Sequence, residues 1–406
     1  MRTLCGKDQP SPIGRMVISL RRWVATCAVG LLATGPLTAR AQEGLHGGEG
    51  ERRLIQAQPL PGAPDGATAY RVYYRSTGLH DEPIMVSGMV IVPPGPVPEG
   101  GRPVVAWAHP TTGVVPRCAP SLARKRFQMI AGMHLMLARG YVIAATDYPG
   151  LGTPETHPYL VGDSEGRAVL DSVRAAREVP GADAGNRFAV WGHSQGGQAA
   201  LFTGLLAESY APDLQLVGVA AAAPATELAT LLKADLDTSG GRNLTAMTLW
   251  SWARVFDAPM DAILDPSAVP VVDRLAGECI ESIFDILEGR QTEKPLAQAF
   301  LSNNNFAAAE PWRSLLQENT PGPLPRHIPV FIAQGMTDGL VLPRVTRDYV
   351  SRLCANGSAV AFDPVPNTGT VLWPSRRPMP PWPGWPIGLP AGARRRAAEH
   401  SRAGAT

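Results

Sequence analysis

A chain of 406 residues with a formal net charge of +2 and no basic block before residue 394 carries no electrostatic footprint for nucleic acid. With 45% hydrophobic and 18% charged residues it can bury a sizeable core, either as one large domain with an insertion or as two domains.

The N-terminal stretch MVISLRRWVATCAVGLLATGPLTARAQ sets Arg21 and Arg22 before an apolar run and ends at Ala39-Arg40-Ala41. This pattern predicts a secretory signal peptide over residues 1–41, too short and wrongly flanked for a membrane span. An uncleaved anchor is the alternative, and residues 1–15 read as a mis-assigned extension ahead of Met16. Cleavage would leave the mature chain secreted or periplasmic, in an oxidising compartment. Cys5 and Cys27 would depart with the leader. Cys118, Cys279 and Cys354 would remain, enough for one disulfide with one thiol left over. Cys118 with Cys279 is the expected pair, because it would tie a site loop to a later helical region; three buried, reduced thiols are the alternative. The cysteine spacing fits no zinc site.

Two alternating runs, AYRVYYRST (69–77) and IMVSGMVIVP (84–93), predict an antiparallel pair of strands. The pattern then changes to short continuous apolar runs: VVAWA (104–108), YVIAATDY (141–148), FAVWG (188–192), LVGVAAAAP (216–224), IPVFIAQG (328–335) and AVAFDPVP (359–366). Runs of that length suit strands buried on both faces of a parallel sheet. Between them SEGRAVLDSVRAARE has helical spacing, with Ala168, Leu170 and Val173 on its apolar side. A βαβ series of this kind predicts a doubly wound α/β sheet. From Ala225 to about Arg326 no strand is expected, only helical stretches such as TAMTLWSWARVF and CIESIFDILEG, so this interval reads as a helical insertion.

Gly192-His193-Ser194-Gln195-Gly196 stands between a predicted strand and a predicted helix. The pentapeptide alone is common, but at a sharp strand-to-helix turn its glycines let a strained serine sit where the following helix passes close by. Ser194 is therefore the candidate nucleophile. The helix N-terminus behind it offers free N–H groups to a developing oxyanion. Gln195 would give one backbone donor and Thr111 or a close neighbour, in the loop HPTTGVVPRCAPS after an early strand, the other. His109 lies on that loop but precedes the serine, whereas this arrangement puts the base after the acid, so it reads as structural. Asp338, on a turn in IPVFIAQGMTDGLVLP, is the candidate acid that would orient an imidazole; a turn-forming Asp before Gly339 is the alternative.

Together HPTTGVVPRCAPS, ATDYPGLGTPETHPYLVGDSEGRAVLDSVRAAR, VWGHSQGGQAAL and IPVFIAQGMTDGLVLP, in this order over residues 50–369, resemble the secretory lipases of the α/β-hydrolase superfamily. The resemblance implies an α/β-hydrolase fold: a mostly parallel central sheet, helices on both faces and an inserted helical cap. It implies a secreted serine esterase acting on acylglycerols or related carboxylic esters. Ser194 and Asp338 take the nucleophile and acid positions, Gln195 an oxyanion donor position, and Thr111 a less securely matched one. The expected layout is a core of 42–224 and 326–369, a cap over 225–325, and an aberrant tail over 370–406. Expected partners are an ester or lipid substrate and transiently a lipid interface, with no nucleic acid, stable protein partner, cofactor or metal. Trp250, Trp252 and Phe256 would cover an acyl chain or form the core of the cap.

One element is missing. The family would read His after the final strand, where this chain has Thr370; the only later histidine is His400, in a tail of Pro, Arg, Gly and Ala. Threonine cannot shuttle a proton at neutral pH. The genetic code accommodates a lost nucleotide near Gly369. Joining the last base of each codon to the first two of the next makes Gly369-Thr370 His when the Gly codon ends in C, and permits Gly at Thr370-Val371, Phe at Val371-Leu372 and Val at Leu372-Trp373. Trp373-Pro374 then becomes Ala, and the following steps permit a helix-forming run. The tail as written has seven prolines and three tryptophans in residues 371–406 and cannot form that helix. A shifted reading frame is the expectation, and a Pro-rich extension on an inactive or differently catalysed protein is the alternative.

Overall fold

The computed structural model describes Thr3–Cys5 and residues 52–281, 291–302 and 305–369. The expected hairpin forms from β3 (Thr68–Thr77) and β4 (Pro83–Val92), in register from Thr68 opposite Val92 to Thr77 opposite Pro83. The apolar runs become β5 (Arg102–Ala108), β6 (Val142–Thr146), β7 (Ala184–His193), β8 (Gln215–Ala222), β9 (Val330–Gly335) and β10 (Val360–Val365). Two further strands complete the sheet, β1 (Thr3–Cys5) and β2 (Leu54–Pro59). The order is β1-β10-β9-β8-β7-β5-β6-β4-β3-β2, with parallel pairing from β10 through β6 and antiparallel pairing at both flanks.

Period-two alternation explains why these runs are apolar throughout. Val104, Ala106 and Ala108 of β5 enter one core, and Val105 and Trp107 enter the core on the other face. Each fully buried Val- or Leu-sized side chain stabilises the fold by about 1.5–3 kcal/mol. On the first face lie α2 (Gly162–Glu178) and α3 (Gln195–Tyr210), with Ala168, Leu170 and Val173 buried as their spacing predicts. Gly162 lets the two helices meet, since a Cβ there would lie 2.2 Å from the Phe202 ring. The opposite face carries α1 (Met133–Ala138), and α8 (Pro343–Ala355) links β9 to β10.

Between β8 and β9 the described residues form α4 (Leu228–Asp235), α5 (Ser239–Val255), α6 (Val269–Ala276) and α7 (Trp312–Glu318), with no strand among them. These helices have their own core, in which Trp252 stacks on Trp312 at 6.2 Å and meets Phe256 edge-on at 5.8 Å. Trp252 is therefore a core residue of this region, whereas Trp250 is partly exposed beneath the Arg254 guanidinium. Thr238 caps α5 by accepting the Gly241 N–H at 3.0 Å. Of the stretch expected to be helical at CIESIFDILEG, residues 279–281 are not helical and 282–289 lie outside the described residues.

Cys118 and Cys279 are joined, as expected. Cys354 is disulfide-bonded as well, which corrects the expectation of a leftover thiol there; a count that removed Cys5 and Cys27 beforehand left it no partner. Apart from β1, the expected leader lies outside the described residues, as do Thr370 and the tail. No helix among the described residues is long and apolar enough to cross a membrane.

Candidate active site

The site grows from the carboxyl ends of the central strands, where an open α/β sheet gathers its loops. Ser194 ends β7 and starts α3 with φ 57° and ψ −119°, a backbone region that ordinary side chains avoid and that a tight structure must enforce. The enforcement is visible around it. A Cβ on Gly192 would lie 1.9 Å from the Gly196 carbonyl oxygen, and one on Gly196 would lie 2.0 Å from that of Ala108. Ser194 N donates to Ala222 O at 2.9 Å, which locks the turn to β8. Gln195 opens α3, so its backbone N–H belongs to the first turn, whose donors have no partner inside the helix. The close approach of Gly196 to Ala108 and His109 brings the loop after β5 against the same turn.

That loop carries Thr111, whose Oγ1 shares a 2.8 Å hydrogen bond with the Tyr159 hydroxyl. Ile280 N donates to Thr112 O at 2.8 Å, and the Cys118–Cys279 bond holds the same stretch from below. His109 is buried with Nδ1 2.7 Å from Pro110 O and Nε2 3.2 Å from Asp147 O, and burial lowers its pKa. Both of its ring nitrogens thus face backbone carbonyl oxygens.

Asp338 follows β9, two strands from β7 in the sheet, which corresponds to about 10 Å between strand axes. Its Oδ1 accepts the N–H groups of Leu340 at 2.9 Å and Val341 at 3.0 Å, and Gln334 Nε2 donates to Oδ2 at 3.4 Å. The carboxylate is thus both a turn-former and a fixed, buried acceptor at the expected edge. Asp235, at the end of α4, is buried too; burial and then the Asp338 charge push its pKa up to about 8.

The chain returning from β10 passes beside this acid. Thr337 N donates to Thr368 O at 3.1 Å, and a Cβ on Gly369 would lie 3.7 Å from Thr337 O. Position 370, where the triad histidine is expected, follows directly and lies outside the described residues.

A buried polar cluster under the elbow was not anticipated. Glu165 Oε1 accepts from Leu160 N at 3.0 Å and from Gln195 Nε2 at 2.7 Å, and burial raises its pKa to about 8. Gln195 Nε2 also reaches His157 Nε2 at 3.1 Å, while His157 Nδ1 lies 2.8 Å from Pro149 O. Burial drives the His157 pKa down to about 3, so this imidazole is neutral. The segment is held from the insertion: Ser251 Oγ donates to His157 O at 2.6 Å, and Trp252 Nε1 to Tyr159 O at 2.8 Å. One signal existed in the sequence. Glu165 stands three and four residues before Ala168 and Val169, on the apolar face of its helix, where a carboxylate needs an explanation.

No group of His, Cys, Asp and Glu among the described residues could hold a metal ion.

Comparison with known proteins fits this geometry. "Lipase A" of Moesziomyces aphidis is 21% identical over 342 residues, covering 77% of this chain and 71% of that protein. The Mycobacterium tuberculosis protein named "Probable inactive lipase MT1628" is 30% identical over 176 residues, 41% of this chain and 39% of its own length, so the chain spans about two fifths of that relative. The structure of Candida antarctica lipase A in its closed state superposes with a TM-score of 0.66 at 19% identity, covering 78% of this chain and 77% of that one. The last likeness establishes the α/β-hydrolase fold. Because the sequence model of the secretory lipase family matches residues 127–373, a span containing both the strained serine turn and the Asp338 turn, the chain belongs to the secretory lipase family.

Proposed function

We propose that this protein is a serine hydrolase of carboxylic esters, and that its substrates are acylglycerols or related lipid esters. The observation that carries the reading is the strained Ser194 turn between β7 and α3, enclosed by glycines that admit no side chain. Ser194 Oγ attacks the ester carbonyl, the backbone N–H groups of Gln195 and Thr111 receive the oxyanion, the alcohol leaves, and water releases the acid from the acyl-enzyme. Asp338 orients the base. The helices between β8 and β9 serve as a cap over the acyl pocket, and the leader exports the chain, in keeping with a family named for secretion and with secreted relatives.

The base itself is the weak point of the chain as written. No histidine lies between Asp338 and Gly369, and residue 370 is threonine. A shifted frame after Gly369 accounts for both the missing histidine and the tail. A second reading, a hydrolase-fold protein without catalysis, draws support from the same threonine and from the relative named as an inactive lipase.

The test compares the chain as written, a frame-restored chain and its Ser194→Ala variant on p-nitrophenyl esters of increasing chain length. Activity in the restored chain that vanishes with Ser194→Ala supports the hydrolase, and the chain-length profile separates lipase from esterase. An inactive restored chain, correctly folded, supports the second reading.

A further inference from the structure

Gln195 carries two functions at once, and its side chain is held in an unusual way. His157 spends its Nδ1 proton on Pro149 O, so its Nε2 can only accept; this fixes the Gln195 amide with Nε2 towards His157 and Glu165. Both Nε2 protons are then used. The other atoms of the same two head groups, Gln195 Oε1 and Glu165 Oε2, are buried without a hydrogen-bond partner among the described residues. Two orphaned acceptors on side chains already bonded to each other are costly, unless one of them bears a proton.

We propose that Glu165 is a positioning residue for the oxyanion hole, acting as a neutral carboxylic acid whose Oε2–H closes a second hydrogen bond to Gln195 Oε1. An acid and an amide paired through both atoms form a ring that fixes the plane of the amide. The residue so fixed is the one whose backbone N–H faces the oxyanion, so the inference rests on the hydrolase reading of Ser194 and Gln195. The surroundings favour the neutral acid. Burial is the largest influence on Glu165, opposed only by its hydrogen bonds from Gln195 and Leu160. The titratable groups around it are Tyr148, His157 and Tyr159, all neutral at pH 7 because burial raises both phenols and lowers the imidazole. On its own helix Arg167 is turned away, to Gly78 O and Asp81, and Asp163 is solvent-exposed.

Glutamine at 165 imitates the protonated acid, with an acceptor for Leu160 N and Gln195 Nε2 and a donor for Gln195 Oε1; alanine removes both. The experiment uses the frame-restored chain, which carries the base, and its Glu165→Gln and Glu165→Ala variants, with two readouts. The first is the unfolding midpoint from pH 5 to pH 9. A folded pKa near 8 against an unfolded value near 4.5 means that the native protein holds the extra proton in between. Its stability is greatest below the lower value and is lost as pH rises through the upper one. Glu165→Gln is expected to flatten this decline. The second readout is the rate at which a fluorophosphonate labels Ser194. Glu165→Ala is expected to slow labelling about 10- to 100-fold and Glu165→Gln to stay within about threefold of the parent. An unchanged pH slope in Glu165→Gln, or a Glu165→Gln variant labelled as slowly as Glu165→Ala, overturns the proposal. If no variant labels at all, the reading of Ser194 fails, and the pH slope still decides whether Glu165 is held neutral.

Discussion

Thr337 N donates to Thr368 O at 3.1 Å, which draws the chain leaving β10 across the turn that bears Asp338. Gly369, the last described residue, therefore lies beside the turn that bears this carboxylate. Restoring the frame after Gly369 is expected to raise hydrolysis of p-nitrophenyl butyrate about 10⁶-fold over the chain as written, the usual cost of losing the base. Thr370→His alone should recover little of this, because the Pro-rich tail cannot supply the helix behind it. Sequencing the DNA across codons 366–374 gives an independent check: a verified intact frame with Thr370 removes the shifted-frame explanation.

Gly196, in the first turn of α3, is a packing requirement more than a chemical one. Gly196→Ala would thrust a methyl group to 2.0 Å from Ala108 O and 2.6 Å from His109 O, both backbone atoms that cannot swing aside. The expected loss is about 3 kcal/mol of stability, at the upper end of overpacking costs. Urea unfolding measures it, and a variant as stable as the parent would mean that the elbow is looser than described.

Removing the bridge between Cys118 and Cys279 enlarges the unfolded ensemble. The sequence separation is 161 residues, for which the chain-entropy estimate is about 5 kcal/mol. A Cys118→Ala/Cys279→Ala double variant leaves no stray thiol, and calorimetry should show a markedly lower midpoint. A midpoint close to the parent's would show that the loop and the insertion hold together without it.

Asp235 gives a second handle on pH. Its pKa, raised to about 8 by burial and by the Asp338 charge, lies above the ordinary carboxyl value of 3.8. The native state therefore binds a proton that the unfolded state releases, and stability declines as pH rises from about 4 to 8. Asp235→Asn should lessen that decline, with the variant gaining on the parent towards pH 8. Thermal melts at pH 4.5, 6 and 8 suffice, and parallel pH profiles for the two proteins would contradict it.

Much of the architecture could be read from apolar runs, because strands buried on two faces leave no room for polar residues. All eight expected strands are present. Leu54–Pro59 escaped notice for the opposite reason: a half-exposed edge strand needs only backbone pairing with β3, and Gln56 and Gln58 break any run. Ser194 was legible because its turn demands glycines on both sides. Glu165, His157 and Tyr159 were not, since their meaning depends on a loop folding beneath the elbow and on Ser251 and Trp252 arriving from about 90 residues further along the chain. Local patterns do not report such encounters. The third remaining cysteine misled because a count of cysteines does not report which of them meet in the fold.

The bond at Cys279 also sets a mechanical constraint. It joins the loop bearing Thr111 to the residues just past α6, and Ile280 N and the Arg117 side chain, bonded to Gly277 O, reinforce the same corner. The inserted helices are thus tied to the sheet at residues 277–280 as well as through Ser251, Trp252 and Asn319, so they are held at several separate points.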